Sequence, residues 1–82
     1  MLYAKVTNPD AGYVYDREKA AKLFAGVYYT VTGVEMGSSH TSIYLEGMKT
    51  SFNSVNFTLY RRGIGNFVEY DIFSDPAYNP YI

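Results

Sequence analysis

Two stretches in the middle of the chain alternate between apolar and polar residues, with the period of two expected for a half-buried strand. They cover residues 41–46 and 55–60. Between them, residues 50–52 have the character of a short strand, and Phe52-Asn53-Ser54 sets an aromatic residue before two residues that favour turns. The pattern predicts a hairpin, then a tight polar corner, then a further strand.

The N-terminal part of the chain predicts one strand and one helix. Residues 2–7 alternate like the central strands and end at the turn-rich run 8–12. Asp16 is a suitable N-cap for a helix over residues 17–24, because its carboxylate can accept hydrogen bonds from the free N–H groups of the first turn. The apolar face of this helix consists of Ala20, Leu23 and Phe24. A helix of about two turns is too short to be stable alone, so we expect it to pack on the sheet.

Residues 27–36 form the longest stretch with strand character. Its apolar side chains first occupy odd positions and then even positions: Val27, Tyr29 and Val31, followed by Val34 and Met36. This change of parity at Thr32-Gly33 predicts a β-bulge in which Gly33 takes up the irregular backbone angles. Because bulges bend strands sharply, the pattern predicts a sheet that closes into a barrel.

The last strand is predicted over residues 67–73, where Val68, Tyr70 and Ile72 face one side and Glu69 and Asp71 the other. It forms a C-terminal hairpin with the strand before it, and an aromatic tail with two prolines follows over residues 74–82. No repeat or linker divides the sequence, so residues 1–82 are predicted to form a single domain.

Composition narrows the class of protein. The chain of 82 residues has a net charge of −1, whereas nucleic-acid-binding domains usually carry a basic excess. No apolar run approaches the length of about 18 residues that a membrane span requires. The N-terminus lacks the features of a secretory signal. These observations predict a cytoplasmic protein that has no membrane association and no cofactor.

The run Phe52-Asn53-Ser54-Val55-Asn56-Phe57 resembles, in placement and residue type, the corner of SH3-like barrels, where a brief 3₁₀ turn leads into a last barrel strand. The resemblance covers roughly residues 2–60. It implies a mainly β, small SH3-like barrel with one short helix inserted after the first strand, to which the C-terminal hairpin and tail are added. Peptide-binding members of that fold carry paired tryptophans, and this chain has no tryptophan. Binding of proline-rich peptides is therefore not implied.

Three further pieces carry a second resemblance: MGSSHTSIYL at residues 36–45, FNSVNF at 52–57 and DPAYNPY at 75–81. Together they are similar to a family of small uncharacterised proteins of Gram-positive bacteria and their phages or mobile elements. The resemblance implies a phage or mobile-element origin and carries no mechanism.

The ten tyrosines are the strongest indication of function. Tyr28, Tyr44 and Tyr60 fall at outward positions of three separate strands, with Tyr3 as a candidate fourth. Tyrosine is enriched at protein interfaces, because it offers a large rigid contact area. The alternative is that these rings form cross-strand pairs that merely cover the sheet. We interpret the chain as a non-enzymatic protein-interaction module that binds an unknown protein partner or a second copy of itself.

Arg61 and Arg62 support an alternative function, since they could stack on and neutralise a single nucleic-acid strand together with Tyr60, Tyr44 and Lys49. The acidic charge balance of the chain weakens the electrostatic attraction that such binding requires. Charged residues at the end of a strand also commonly protect a sheet edge. Nucleic-acid binding is therefore the second hypothesis.

Neither of two other polar groups predicts catalysis or metal binding. His40, the only histidine, adjoins Ser39, but no third orienting residue or glycine-rich elbow accompanies the pair. Glu69 and Asp71 share a predicted strand face and could hold a hard cation, but the dense ligand spacing of a calcium loop is missing. The sequence predicts no enzymatic activity and no metal site.

Overall fold

A computed structural model describes residues 1–82, which form one antiparallel sheet, one α-helix and two 3₁₀ turns. The strands are β1 (Leu2–Val6), β2 (Tyr29–Met36), β3 (Thr41–Leu45), β4 (Ser51–Asn53), β5 (Phe57–Arg62) and β6 (Phe67–Glu69). The helix α1 spans Val14–Ala21, and the 3₁₀ turns span Ser54–Asn56 and Ile72–Ser74. The strands lie in the order β4-β3-β2-β1-β5-β6. The mainly β class with one short helix after the first strand is confirmed.

The sheet is open, and the prediction of a closed barrel was wrong. β4 and β6 lie at opposite edges and do not pair with each other. A bulge bends one strand, but a barrel also requires the first and last strands of the sheet to meet in hydrogen-bonding register. Here the C-terminal hairpin extends the sheet beyond β5, so the sheet ends in two separate edges.

The predicted bulge is present in β2, where the register against β3 shifts between Val31 and Gly33. Gly33 does not have the positive φ that would require glycine. An ideal Cβ at this position would lie 3.5 Å from Tyr44 Cδ2, an ordinary van der Waals contact. Val31 is buried and Tyr29 is half-buried, as predicted, but Val27 precedes the strand and is exposed.

The helix begins earlier than predicted, and Asp16 is not its N-cap. Tyr13 occupies the N-cap position, and Asp16 lies in the first turn of α1, where its carboxylate accepts the Tyr13 N–H at 3.0 Å. The acidic side chain therefore caps the helix from within its first turn, which is how the acidic residue of a capping box acts. Ala20 is buried and Leu23 packs on the core, but the helix ends before Phe24, which is 76% exposed.

The polar corner forms as the sequence indicated, with a 3₁₀ turn at Ser54–Asn56. Asn53 accepts the Val55 N–H through its side-chain oxygen at 3.2 Å. Asn56 is buried, and its amide donates to the carbonyls of Asn8 and Ala11, each at 2.9 Å. Because a buried amide needs such partners, Asn56 ties the β1–α1 loop to the corner.

The core lies on the inner face of the sheet, where alternate residues of β1, β3 and β5 meet. Its buried members are Leu2, Ala4, Val31, Ile43, Leu45, Phe52, Phe57, Leu59 and Ile72. The central strands contribute their predicted inward residues with one exception: Val55, predicted in the strand over residues 55–60, lies in the 3₁₀ turn and is 47% exposed, because β5 begins only at Phe57. The helix α1 closes one end of the core near β4 and the first 3₁₀ turn.

The segment after β6 differs from the prediction of one strand to residue 73. β6 ends at Glu69, and the chain then turns so that Ile72 enters the core with 1% exposure. Asp71 caps the second 3₁₀ turn by accepting the Phe73 N–H at 2.9 Å. Asn79 is buried and donates to the Phe73 carbonyl at 2.8 Å, which folds the tail back on the sheet.

Candidate interaction surface

The outer face of the sheet carries the residues that alternate with the core residues of β1 and β5. Tyr3 and Lys5 lie between the buried or half-buried inner positions of β1, and Tyr60 lies directly opposite Tyr3 on β5. Phe67 stands opposite Arg62 at the start of β6. Every second side chain of the adjacent strands β1, β5 and β6 therefore lies on this face.

Four aromatic rings form one connected group on this face, which we call the outer aromatic cluster: Tyr3, Tyr28, Tyr60 and Phe67. The rings of Tyr28 and Phe67 stack with centroids 3.8 Å apart and an interplanar angle of 8°. Tyr60 meets Tyr28 edge to face at 5.0 Å, and Tyr3 meets Phe67 in the same way at 5.0 Å. The two edge-to-face pairs have the arrangement that the charge distribution of aromatic rings favours.

Two cations lie over the cluster. The Lys5 ammonium is 4.8 Å from the centroid of Tyr28 and 5.2 Å from that of Tyr60, and it donates to the Tyr28 hydroxyl at 3.4 Å. This hydrogen bond raises the pKa of Lys5 above its ordinary value. The Arg62 guanidinium lies 5.1 Å from the centroid of Phe67. Such contacts hold a cation in place on an aromatic surface.

The structure brings together only some of the residues that the sequence singled out. Tyr28, Tyr60 and Arg62 belong to one surface. Tyr44 also lies on the outer face, but on β3, which is separated from β1 by β2. Arg61 lies on the inner side of β5, where its guanidinium is 4.8 Å from the centroid of Tyr70. The two arginines therefore point to opposite faces of the sheet.

Sequence reasoning missed two members of this surface, and the signal for both was present. Lys5 follows Tyr3 by two positions in β1, so strand periodicity alone places the two side chains on one face. Phe67 shares the parity of Glu69, which was predicted on the side of the last strand opposite Val68, Tyr70 and Ile72. What the sequence could not show is that Tyr28, just outside β2, reaches across the sheet to stack on Phe67.

The other predicted polar groups lie elsewhere. The Ser39 hydroxyl is 3.3 Å from His40 Nδ1 on an exposed turn between β2 and β3. Both residues border a polar cleft of about 190 Å³ beside Asp16 and Lys19. Glu69 and Asp71 do not share a strand face as predicted, because β6 ends at Glu69 and Asp71 uses its carboxylate to cap the following turn.

A second polar group surrounds Tyr70, on the inner side of the β5–β6 hairpin. The Tyr70 hydroxyl donates to Asp75, which also accepts the Ala77 N–H at 2.9 Å. The bond to Tyr70 is the main reason that the pKa of Asp75 lies below its ordinary value, and the same bond raises the pKa of Tyr70. This group fixes the start of the C-terminal tail.

Comparison with known proteins identifies the class to which the chain belongs. The family model described as Bacteriophage T4 protein Y07B matches residues 1–82, so the chain belongs to this family of phage proteins. A relative from Enterobacteria phage T4 is 36% identical over 81 residues, covering 93% of this chain and 84% of its own length. Its description is "Uncharacterized 11.2 kDa protein in segB-ipI intergenic region".

These comparisons confirm the predicted membership of a small phage protein family and give no support to the Gram-positive part of the resemblance. No solved structure matches the chain. None of the helices has the length and apolar character needed to cross a membrane.

Proposed function

We propose that this phage protein is a non-enzymatic protein-interaction module, acting in the cytoplasm, whose contact surface is the outer aromatic cluster with Lys5 and Arg62. The proposal rests chiefly on one observation: four rings pack on each other on the outer face of the sheet and remain partly open to solvent. Rings held by their neighbours lose little conformational freedom when a partner binds, so their contact area contributes efficiently to affinity.

The charge of the surface indicates the chemistry of the partner. Lys5 and Arg62 lie over the rings, so a protein that presents carboxylates beside apolar side chains would satisfy both components. Aromatic residues and arginine are the types that most often dominate the energy of an interface. We therefore expect an acidic protein surface as the partner.

Nucleic-acid binding, the second hypothesis, has less support from the geometry. Arg61 and Arg62 point to opposite faces, so they do not form one basic site. Bases stack on open ring faces, whereas Tyr28 and Phe67 stack on each other and carry cations. Binding of an oligonucleotide is accordingly the result that would overturn the proposal.

The test uses a photo-cross-linking amino acid in place of Thr30, which lies directly opposite Tyr3. The matched control carries the same group at Glu18, on the exposed side of α1. In phage-infected cells we expect protein adducts from the position at Thr30 only, and their loss when Tyr60→Ala and Lys5→Glu are added. Equal adducts from both positions would contradict the proposal.

The nucleic-acid hypothesis is tested on the purified protein by fluorescence anisotropy with labelled single- and double-stranded oligonucleotides. We expect no binding at micromolar protein. Salt-sensitive binding that Arg62→Ala abolishes would replace the protein-interaction function by nucleic-acid binding, since released counterions make such affinity fall with salt.

A further inference from the structure

The outer edge of β6 has backbone N–H and C=O groups with no partner in the sheet. The hydrogen bonds of the β5–β6 hairpin show which residues of β6 carry them. The Gly63 N–H donates to the Asn66 carbonyl at 2.7 Å, and the Tyr70 N–H donates to the Leu59 carbonyl at 2.8 Å. Hydrogen-bonded pairs alternate along an antiparallel ladder, so Val68, midway between these contacts, bonds to β5. The N–H and C=O groups of Phe67 and Glu69 therefore point away from the sheet.

This edge is self-complementary. When a second copy is aligned antiparallel with Val68 on the twofold axis, Phe67 of one copy faces Glu69 of the other, and the reverse also holds. Both of these facing pairs have free backbone groups, so each exchanges N–H···O bonds in both directions. The two Val68 residues meet at the intervening close position, where side chains of opposed strands approach most nearly.

Exposed apolar side chains follow the same edge. Val68 is 53% exposed although it lies between paired strand positions, and Ile64, at the tip of the hairpin, is fully exposed. Pairing about the twofold axis would bury Val68 of one copy against Val68 of the other. Burial of such side chains adds a hydrophobic contribution to the backbone hydrogen bonds.

The charges on the outer side of the edge are complementary as well. Glu69 shares the outer face with Tyr60, which lies opposite it on β5, and Arg62 lies over Phe67. In the paired arrangement, Glu69 of the second copy stands directly beside Phe67. This carboxylate and Arg62 then flank Phe67 on the outer face with their backbones about two strand spacings, or ~10 Å, apart. At that distance exposed opposite charges attract each other only weakly, and salt screens the attraction.

We propose that β6 is the self-association edge of this protein, and that it pairs antiparallel with β6 of a second copy to join two sheets into one. The partner at this edge is a second copy of the chain, because the backbone register, the apolar contact and the charges of one β6 complement those of another β6 across the same twofold axis. The contact is short, and small interfaces of this kind associate weakly. The inference goes beyond the proposed function, since it concerns the edge of the sheet and requires no other protein.

The first experiment is sedimentation velocity of the purified chain between about 10 µM and 1 mM, the range in which weak interfaces associate. We expect a concentration-dependent dimer that Val68→Asp abolishes, because the variant places two like charges at the close position on the axis. Val68 is exposed in the monomer, so the melting temperature of the variant should stay near that of the wild type. A monomer at every concentration would overturn the proposal.

A mixing experiment separates the interface from effects within one chain. Glu69→Arg and Arg62→Glu each place like charges on either side of Phe67 across the proposed contact, so each variant alone should dimerise more weakly than the wild type. Mixed together, they restore opposite charges at both symmetric contacts and should pair with each other more tightly than with themselves. Glu18→Arg, an equal change of charge on the exposed side of α1, should leave dimerisation unchanged. If Glu69→Arg and Arg62→Glu dimerise as strongly as the wild type and the Glu18→Arg control, association belongs to another surface.

Amide hydrogen exchange locates the contact. The N–H groups of Phe67 and Glu69 should become protected as protein concentration rises, while that of Val68 should be protected at all concentrations. Uniform protection along β6 would contradict the derived phase. All of these measurements use the protein alone, so their failure is distinguishable from failure of the cross-linking test.

Discussion

The two edge strands of the sheet, β4 and β6, differ in whether another part of the chain covers them. At β4, the helix supplies polar groups to the edge: the Lys19 ammonium donates to the Ser51 carbonyl at 2.8 Å, and the buried Asp16 carboxylate accepts the Asn53 side-chain amide at 3.1 Å. At β6, exposed Val68 occupies the middle of a strand that has no neighbour on its outer side. One edge is closed by the protein's own helix, and the other is left available.

The contrast shows where this chain concentrates its stabilising contacts. An open sheet edge presents unpaired backbone groups that pair readily with other chains, so proteins cover, shorten or charge their edges. Here the insertion after the first strand covers β4 through α1, and Asn56 ties its loop to the corner. The β6 edge has only its shortness and Glu69 to limit unwanted pairing.

The largest predicted effect compares a buried residue that follows β6 with an exposed residue within β6. Ile72→Ala removes a core side chain that is 1% exposed, and we expect it to lower the free energy of unfolding by about 3 kcal/mol. Val68→Ala, four positions earlier, is the matched control and should change stability by no more than about 0.5 kcal/mol. Urea denaturation of both variants measures the difference. Equal losses would show that β6 is integrated into the core rather than lying free.

The second effect tests the covered edge. Asp16→Ala leaves the Tyr13 N–H and the Asn53 amide without their shared acceptor, and we expect a loss of about 2 kcal/mol in the free energy of unfolding. Glu18→Ala, on the exposed side of the same helix, should have little effect. Amide exchange in α1 and β4 should accelerate only in the Asp16 variant. Unchanged exchange there would mean that the helix does not secure this edge.

The smallest effect concerns the anchoring of the segment that follows β6. The pKa of Asp75 lies below its ordinary value in the folded protein, because its carboxylate accepts the Tyr70 hydroxyl and the Ala77 N–H. Its contribution to stability is therefore fully present above the ordinary carboxyl pKa and is lost as pH falls through the lower folded value. NMR titration should show this lowered pKa, and Tyr70→Phe should raise it towards the ordinary value. Tyr78→Phe serves as the control, and a pKa unaffected by Tyr70→Phe would exclude the proposed cause.

The pattern of apolar and polar residues predicted most of the strands and the helix, but it did not predict the residues at which several of them begin or end. Period-two alternation was sufficient for β1, β3 and β5, because half-buried strands impose that alternation directly. It failed after Glu69, where Ile72 continues the strand pattern but reaches the core from a 3₁₀ turn. Ile72 is buried, whereas Val68 at the same predicted parity is 53% exposed. At this end of the chain, parity therefore determined neither burial nor the backbone conformation.

The candidate surface was predicted in part for the same reason. Tyr60 and Arg62 share parity within β5, and their common face follows from the sequence. Tyr44 has the correct parity too, but strand order places it away from the cluster. The adjacency of Arg61 and Arg62 in sequence suggested one basic site, although neighbouring residues of a strand point to opposite faces.

The sequence by itself determined the strands of the central part of the chain, the bulge at Gly33, the polar corner after Phe52 and most of the inward apolar residues of β1, β3 and β5. These features depend on alternation and on turn chemistry within a few residues. Only the tertiary structure decided that the sheet stays open, that α1 covers the β4 edge and that Tyr28 stacks on Phe67. These outcomes depend on which strands become neighbours, and residues far apart in sequence decide that through packing and not through any local pattern.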